Sequence, residues 1–401
     1  MSSPVSTRTP CPDCGHAPSF HRFLYLSACL AGRIPNPLAT RHPLLRGAAR
    51  FAHGIERVLT PRILGLLMDA GTARRGMKPD EATQLLARML WNEAEARGIR
   101  VSEFRPFGLP CNVFVARYPD GRSVAYEGIP LPGCSDLERT PWMSDKAMLT
   151  ERFRALGFPA ARGGSARTLA EARRVFAGLV PPVIVKPSSG SGSRHTTLHI
   201  LDEEWLARGF ALAKQVAPTA VIEEELSGAV YRVTVVDGAF AAALRRDQPH
   251  VIGDGARTVE ELVRSANEHP ARQGPYFHRM KLDEAALEEL RWQDLDAASV
   301  PAAGRRVTLH QKISWNVGGT TADVTDDIHP DTVALLEEAA RMLRAPVAGF
   351  DVVIGDPARS WKEQDRCGIL ECNSMPFFDN HHLPFEGRPR NVAARIWDMN
   401  P

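Results

Sequence analysis

Two separated segments constrain this chain more than anything else in it. Residues 183–194, VIVKPSSGSGSR, form a short apolar run that stops at a lysine and opens into a Gly/Ser loop. Residues 351–373 run from DVVIG to ILECN, two apolar runs with Asp351, Glu371 and Asn373 at or near their ends. A carboxylate inside a buried strand is costly unless it is paired or bound to a metal. Period-2 geometry puts Glu371 and Asn373 on one strand face. Two carboxylates and an amide oxygen suit Mg²⁺, with Glu371 placed to bridge two ions. Lys186 and the loop Ser188–Ser193 suit a polyphosphate, because such a loop offers amide and hydroxyl donors and can fold over it. The lysine precedes the glycines, so the spacing is not that of a P-loop. A solvated turn after a strand and a structural salt-bridge network are the plainer readings of the two segments. Taken together, they predict a chain that uses ATP with magnesium.

Around these segments the chain divides by pattern. Its 401 residues allow two or three domains. Residues 1–20 read as a polar tail and 21–100 as a mainly helical region, with apolar residues at helical spacing in ERVLTPRILGLLMDA and EATQLLARMLWNEAEARG. Residues 101–140 hold strands around the turn Pro119-Asp120-Gly121. A helix capped by Ser or Asp is expected from near Ser144 to about Leu156. From 159 strands and helices alternate. Strands are expected at 182–186, 196–201, 220–225, 230–237, 239–245, 347–354 and 367–372. Helices are expected at 168–178, 203–214, 257–268, 283–290, 331–343 and 390–398. Asp237-Gly238 signals a two-residue hairpin. No apolar stretch reaches the roughly 20 residues of a membrane span. The segment from Phe23 to Gly32 is apolar but short, and reads as a buried helix.

Charge and cysteines narrow the function class. A formal net charge of +2, from 49 basic and 47 acidic residues, gives no reason to propose nucleic acid or a membrane as partner. Seven scattered cysteines read as reduced thiols in a cytoplasmic protein. Cys11-Pro-Asp-Cys14-Gly-His16, with His21 following, has the spacing of half a zinc ribbon without a second CxxC; a disordered tail is the alternative. Glu223, Glu224 and Glu225 end an apolar strand and either read an adenine and ribose or form a solvated turn. Arg232, Arg245 and Arg246 sit on predicted strands, where a guanidinium holds a carboxylate or a transferring phosphoryl group. His381-His382 either binds metal or substrate or belongs to a polar loop at the rim of the site; the rim loop is the safer reading. Trp142 and Trp315 read as packing residues.

The segments VIVKPSSGSG, VIEEELSG, YRVTVVDG, VIGDGARTVEELV, VGGTTADVTDDIHPD, AGFDVVIG, ILECNSMP and RNVAARI occur in one order. That order resembles the ATP-grasp ligases, in particular the ATP-grasp module of cyanophycin synthetases and related glutathione-synthetase modules, over about residues 141–400. The resemblance implies an α/β ATP-grasp fold, two α+β lobes clasping ATP, at about 141–225 and 226–401. A smaller α/β domain and a helical N-terminal region precede it. It implies an ATP-dependent ligase that joins a small carboxylate, an amino acid or short peptide, to an amine through an acylphosphate. An ATP-dependent small-molecule kinase and a ligase acting on a carrier-bound substrate are the alternatives, the carrier docking through residues 1–100. A homodimer is a further option.

By position, the resemblance gives ATP contacts at Lys146, Lys186, Ser188, Ser189, Gly190, Ser191 and Gly192. It gives the adenine hinge at Glu223, Glu224, Glu225 and Leu226. Magnesium ligands fall at Asp351, Glu371 and Asn373, for two ions. Arg246, with Lys186, takes a catalytic role, and Arg232, Asn316, Gly318 and Gly319 are assigned to substrate. The chain departs from the family pattern in four places, the first being a loop Ser188–Ser193 with less glycine than the family's usual glycine-rich loop. Val230 stands where relatives carry the acidic ribose contact. The proline expected before the GDG turn is shifted to Pro249. SMPFFDNHH follows Asn373 where a proline and glycine are usual.

Overall fold

The alternation that begins near residue 159 folds into separate antiparallel sheets. The computed structural model describes residues 21, 62–71, 73–76, 78–80, 83–106, 108–109, 111–131, 146–188 and 195–399. The zinc-knuckle pair Cys11 and Cys14, the loop residues Ser189, Gly190, Ser191 and Gly192, the helix expected from Phe23, the cap expected at Ser144, and Trp142 all lie outside the described residues.

Helix α1 spans 62–69. Strands β1 (Ala73–Gly76), β2 (Arg100–Pro106), β3 (Val113–Arg117) and β4 (Ser123–Glu127) form one sheet in that order. Helix α2 (Leu85–Ala96) packs Leu90 and Trp91 with Phe114 and Tyr126. β1 adds a strand to the mainly helical region 21–100. At four residues it is too short to show a period, and its pairing with β2 is a tertiary fact.

The next sheet has the order β5-β8-β6-β7, from β5 (Gly163–Ala166), β6 (Val183–Pro187), β7 (Thr197–Ile200) and β8 (Ala220–Glu224). Helix α3 (Lys146–Ala155) precedes it, and α4 (Leu169–Ala177) and α5 (Glu203–Ala213) cover one face. α4 starts in a capping box. Thr168 Oγ1 accepts the Glu171 N–H, and the Glu171 carboxylate accepts the Thr168 N–H, both at 3.2 Å. Val183 and Val185 pack against Ile200, Leu206 and Ile222 under these helices. Alternation then turns Ile184 and Lys186 to the other face.

The largest sheet has the order β13-β10-β9-β14-β15. Its strands are β9 (Ala229–Val236), β10 (Ala239–Asp247), β13 (Thr320–Asp323), β14 (Val347–Ile354) and β15 (Gly368–Asn373). Asp237 and Gly238, both at positive φ (51° and 72°), make the β9–β10 hairpin, as the Asp-Gly pair predicts. Tyr231, Val233, Phe350 and Val352 are buried with Phe153 of α3 and Leu336 of α8 (Pro330–Leu343). Arg232 and Asp351 therefore face the opposite way.

Between β10 and β13 lies a small insert with its own core of Val251, Leu262, Leu290 and Val307. It comprises β11 (His250–Ile252), β12 (Arg306–Thr308), α6 (Val259–Ala266) and α7 (Glu284–Trp292). After β15 come the short α9 (Asp379–His382) and α10 (Val392–Asp398). α10 returns to the first sheet, where Trp397 Nε1 donates to the Leu90 carbonyl at 2.9 Å. No helix among the described residues is long and apolar enough to cross a membrane.

Candidate active site

The free faces of the second and third sheets line one cleft of about 2010 Å³. Lys146, Ile184, Lys186, Glu225 and Leu226 contribute from one side, and Arg232, Arg246, Asp351, Glu371 and Asn373 from the other. Gly228 makes the turn between the sheets. Its φ is +131°, and a Cβ there would stand 2.3 Å from the Ile354 carbonyl oxygen.

Lys186 is 6% exposed, and its Nζ lies 2.5 Å from Glu223 Oε2. Thr150 Oγ1 donates to the other Glu223 oxygen at 3.1 Å. Ser188, the last described residue before the Gly/Ser loop, accepts the Lys146 N–H at 3.2 Å. That bond fixes the root of the loop to the start of α3. Burial lowers the Lys146 ammonium pKa, and the nearby Lys186 charge lowers it further. Two lysines set on one wall of the cleft form a receptor for a polyanion.

Register assembles the other side. Asp351 of β14 stands opposite Glu371 of β15 and opposite Arg232 of β9. A register shift after Asp351 brings Leu370 as well as Glu371 onto the cleft. Arg232 grips Asp351 with Nε at 2.7 Å and Nη2 at 3.0 Å. Arg246 Nη1 reaches the same carboxylate at 3.2 Å, and its Nη2 donates to the Ile313 carbonyl at 3.1 Å. Burial alone would raise Asp351, but the charges of Arg232 and Arg246 outweigh it and hold the carboxyl below its ordinary range. Glu371 goes the other way, raised by burial and then by the Asp351 anion. Asn373 Nδ2 donates to Glu371 Oε1 at 3.3 Å. Lys146 Nζ is 4.0 Å from Glu371 Oε2. Two mutually repelling carboxylates and an amide on adjacent strands are an oxygen donor set that fits a hard divalent cation.

The hinge carboxylates separate. Glu223 is turned inward onto Lys186. Glu224 points out of the cleft, accepting the Val180 N–H at 3.0 Å and pairing with Arg162 at 3.4 Å. Glu225 lines the cleft, bonded to the His199 N–H at 2.9 Å and paired with its ring at 3.0 Å. Leu226 lines the cleft beside it. Asn316, Gly318 and Gly319 do not line the cleft. They turn the chain just beyond Lys312 and Ile313, which do, with Gly318 at φ +97° packed under Met280. Trp315 packs edge-on against Phe277.

The pair His381-His382 is not a rim loop. His381 is fully buried and shares a 2.8 Å bond with Thr234, while His382 Nε2 accepts the Ala393 N–H at 3.1 Å. Burial lowers both imidazoles, to about 3 and about 4. Their helix packs against α2, β10 and α10, contacts remote in sequence, so a polar-looking stretch conceals them. Thr150, His199 and the cross-cleft ring pair Trp205–Trp292, with centroids 5.2 Å apart, carried no sequence signal of their own.

No family model matches the chain. Among curated proteins it is 34% identical to a cyanophycin synthetase of Nostoc sp. over 221 residues, 54% of this chain and 24% of that protein. It is 30% identical over 227 residues to the glutathione biosynthesis bifunctional protein GshAB of Clostridium perfringens, 54% of this chain and 28% of that protein. The chain thus spans about a quarter of the length of these relatives. Among solved structures, a bifunctional glutathione synthetase from Pasteurella multocida superposes with a TM-score of 0.58 at 23% identity, covering 78% of this chain and 43% of that one. The chain therefore has the ATP-grasp fold and is similar, over about half of its length, to parts of cyanophycin synthetases and of bifunctional glutathione-synthesising proteins.

Proposed function

We propose that the chain is an ATP-dependent ligase that joins a small carboxylate, an amino acid or short peptide, to an amine. The observation that supports it most is the meeting of Lys146 and Lys186 with Asp351, Glu371 and Asn373 on the two walls of one cleft. In this reading a carboxylate oxygen of the donor attacks the γ-phosphorus of ATP and ADP leaves. The amine then attacks the acylphosphate carbonyl, loses a proton, and expels phosphate. Lys146 and Lys186 bind the phosphates and offset the charge on the transferring group. Arg246, held between Asp351 and the Ile313 carbonyl, presents a fixed cation beside it. Ile184, Leu226 and Leu370 give the cleft the apolar walls that a purine requires. Magnesium, when held by Asp351, Glu371 and Asn373, supplies further neutralisation of the phosphates.

The same reading places the protein in the cytoplasm, where ATP is available and where the thiols of Cys111, Cys367 and Cys372 stay free. A zinc ion at Cys11 and Cys14, a homodimer, and a carrier docking through residues 1–100 are separate proposals, checked by metal analysis, sedimentation and pull-down.

The test is ADP release from ATP and Mg²⁺ over a panel of amino acids and dipeptides, singly and in pairs. ADP formed only with a carboxylate–amine pair, with the product lighter by one water, is the expected result. ADP formed with one compound and a stable phosphorylated product makes the protein a kinase and overturns the ligase reading.

A further inference from the structure

Two arginines among the described residues are buried, and of these only Arg232 has a carboxylate partner. Arg232 is 8% exposed and locked bidentately to Asp351. Arg272 is 6% exposed and has no acidic partner among the described residues. It sits in the short turn Pro270–Gln273 of the insert. Its Nη1 donates to the His278 carbonyl at 2.8 Å, while its Nε is buried without a hydrogen-bond partner. Burial lowers its pKa, with no anion opposing the effect. The Phe385 ring lies 5.0 Å from the guanidinium and is itself fixed against His269 and Phe277. A ring face offers a cation only a modest attraction. Desolvating a charge costs more than that attraction returns. The ring alone does not settle the account, and the edge of the guanidinium suited to a bidentate anion is unused.

The position of Arg272 is tied to the catalytic wall. Arg246 of β10 stands opposite Thr321 of β13. The Thr321 carbonyl accepts the N–H of Phe385 at 2.9 Å, and Phe385 carries Arg272. On the other side, the His278 N–H bonds to the Trp315 carbonyl at 3.1 Å, in the turn that follows the cleft residues Lys312 and Ile313. Arg272 thus lies one strand and one ring away from Arg246.

We propose that Arg272 is a receptor for a substrate carboxylate that is not activated, the free carboxylate of an amino acid or peptide bound at the edge of the large sheet. The inference rests on the ligase reading and names one feature of its substrate class. A bidentate carboxylate satisfies the idle edge of the guanidinium and neutralises its charge. Phe385 holds the plane of the fork, and the His278–Trp315 hydrogen bond ties this subsite to the turn that follows the cleft residues Lys312 and Ile313.

The test compares the wild type with Arg272→Met and Arg272→Lys, using each active substrate and the same compound with its carboxylate amidated. Losing a charge-assisted pair raises the KM for the carboxylate substrate roughly tenfold or more in Arg272→Met. The KM for ATP stays unchanged, and the preference for acid over amide disappears. Arg272→Lys keeps the charge, loses the fork, and retains part of the preference. An acid-over-amide preference that is the same in all three proteins overturns the proposal. If no pair turns over, calorimetric binding of amino acids, dipeptides and their amides separates the two readings. Carboxylate-dependent binding abolished by Arg272→Met supports the subsite while the ligase reading fails. Binding indifferent to the carboxylate or to the substitution overturns the subsite.

Discussion

Lys186 and Glu223 neutralise each other beneath the cleft, each under a tenth exposed. Removing one leaves the other buried and unpaired, which costs about 3–5 kcal/mol. Lys186→Met is therefore expected to melt well below the wild type and to lose ADP formation by roughly 100-fold or more. Lys186→Met/Glu223→Gln should recover much of the melting temperature without recovering activity. A double variant no more stable than the single one would show that the pair is not the reason for the loss. Asp379 presents the opposite case, a buried carboxylate with one oxygen lacking a partner, its pKa pushed up by burial to about 6 from 3.8. Its protonated form is the one the fold favours. The stability it contributes is complete below about pH 3.8 and is lost as pH rises through about 6. Asp379→Asn is expected to gain on the order of 2–3 kcal/mol at pH 8 and almost nothing near pH 4. Thermal melts across that range decide it, and a gain independent of pH rejects burial as the cause.

At the scale of elements, Gly228 is the turn on which the two sheets that wall the cleft meet. Gly228→Ala would press a Cβ into the Ile354 carbonyl from a φ of +131°, and strain of this kind costs on the order of 1–3 kcal/mol. Gly304→Ala is a control, because it also has positive φ but meets nothing within 4 Å. Equal melting temperatures for the two variants would dismiss the close approach as the reason for glycine. This turn also marks what the sequence could reveal. The strand Val347–Ile354 was legible to the residue because it is one unbroken apolar run. The faces of Glu371 and Asn373 followed from a period of two. The inward turn of Glu223 did not, because it depends on Ile184 of β6 standing opposite Glu223 of β8. Period fixes the face of a residue within its own strand, whereas register between distant strands decides what that face meets. The outward Glu224 escaped the reading for the same reason, as did β1, which exists only through its neighbour, while the burial of His381 rests on the packing of its helix against α2 and β10.

For the whole molecule, the mouth of the cleft is bridged by Trp205 of α5 and Trp292 of α7, one from the second sheet's layer and one from the insert. An aromatic pair is worth about 0.5–1.5 kcal/mol beyond its buried area. Trp292→Leu is expected to raise the KM for ATP by roughly 2–10-fold with little change in kcat. The tryptophan emission of the wild type is expected to shift on ATP binding, and that shift should shrink in the variant. Unchanged ATP affinity with an undiminished emission shift would mean that the rings meet without holding the cleft.

The interlocked charges of the cleft also bear on how such a site can decay over generations. Asp351 answers two arginines, Glu223 answers Lys186, and Glu371 faces Lys146. A lineage that discards Asp351 first inherits two guanidinium groups with no counter-charge, and one that discards Lys186 inherits a stranded anion. Loss of catalysis therefore carries loss of folding with it, unless the partners are lost together. Descendants that keep the shell of this module but abandon its chemistry are expected to have exchanged these residues in matched sets, and a chain caught halfway would be removed for misfolding before it was removed for inactivity.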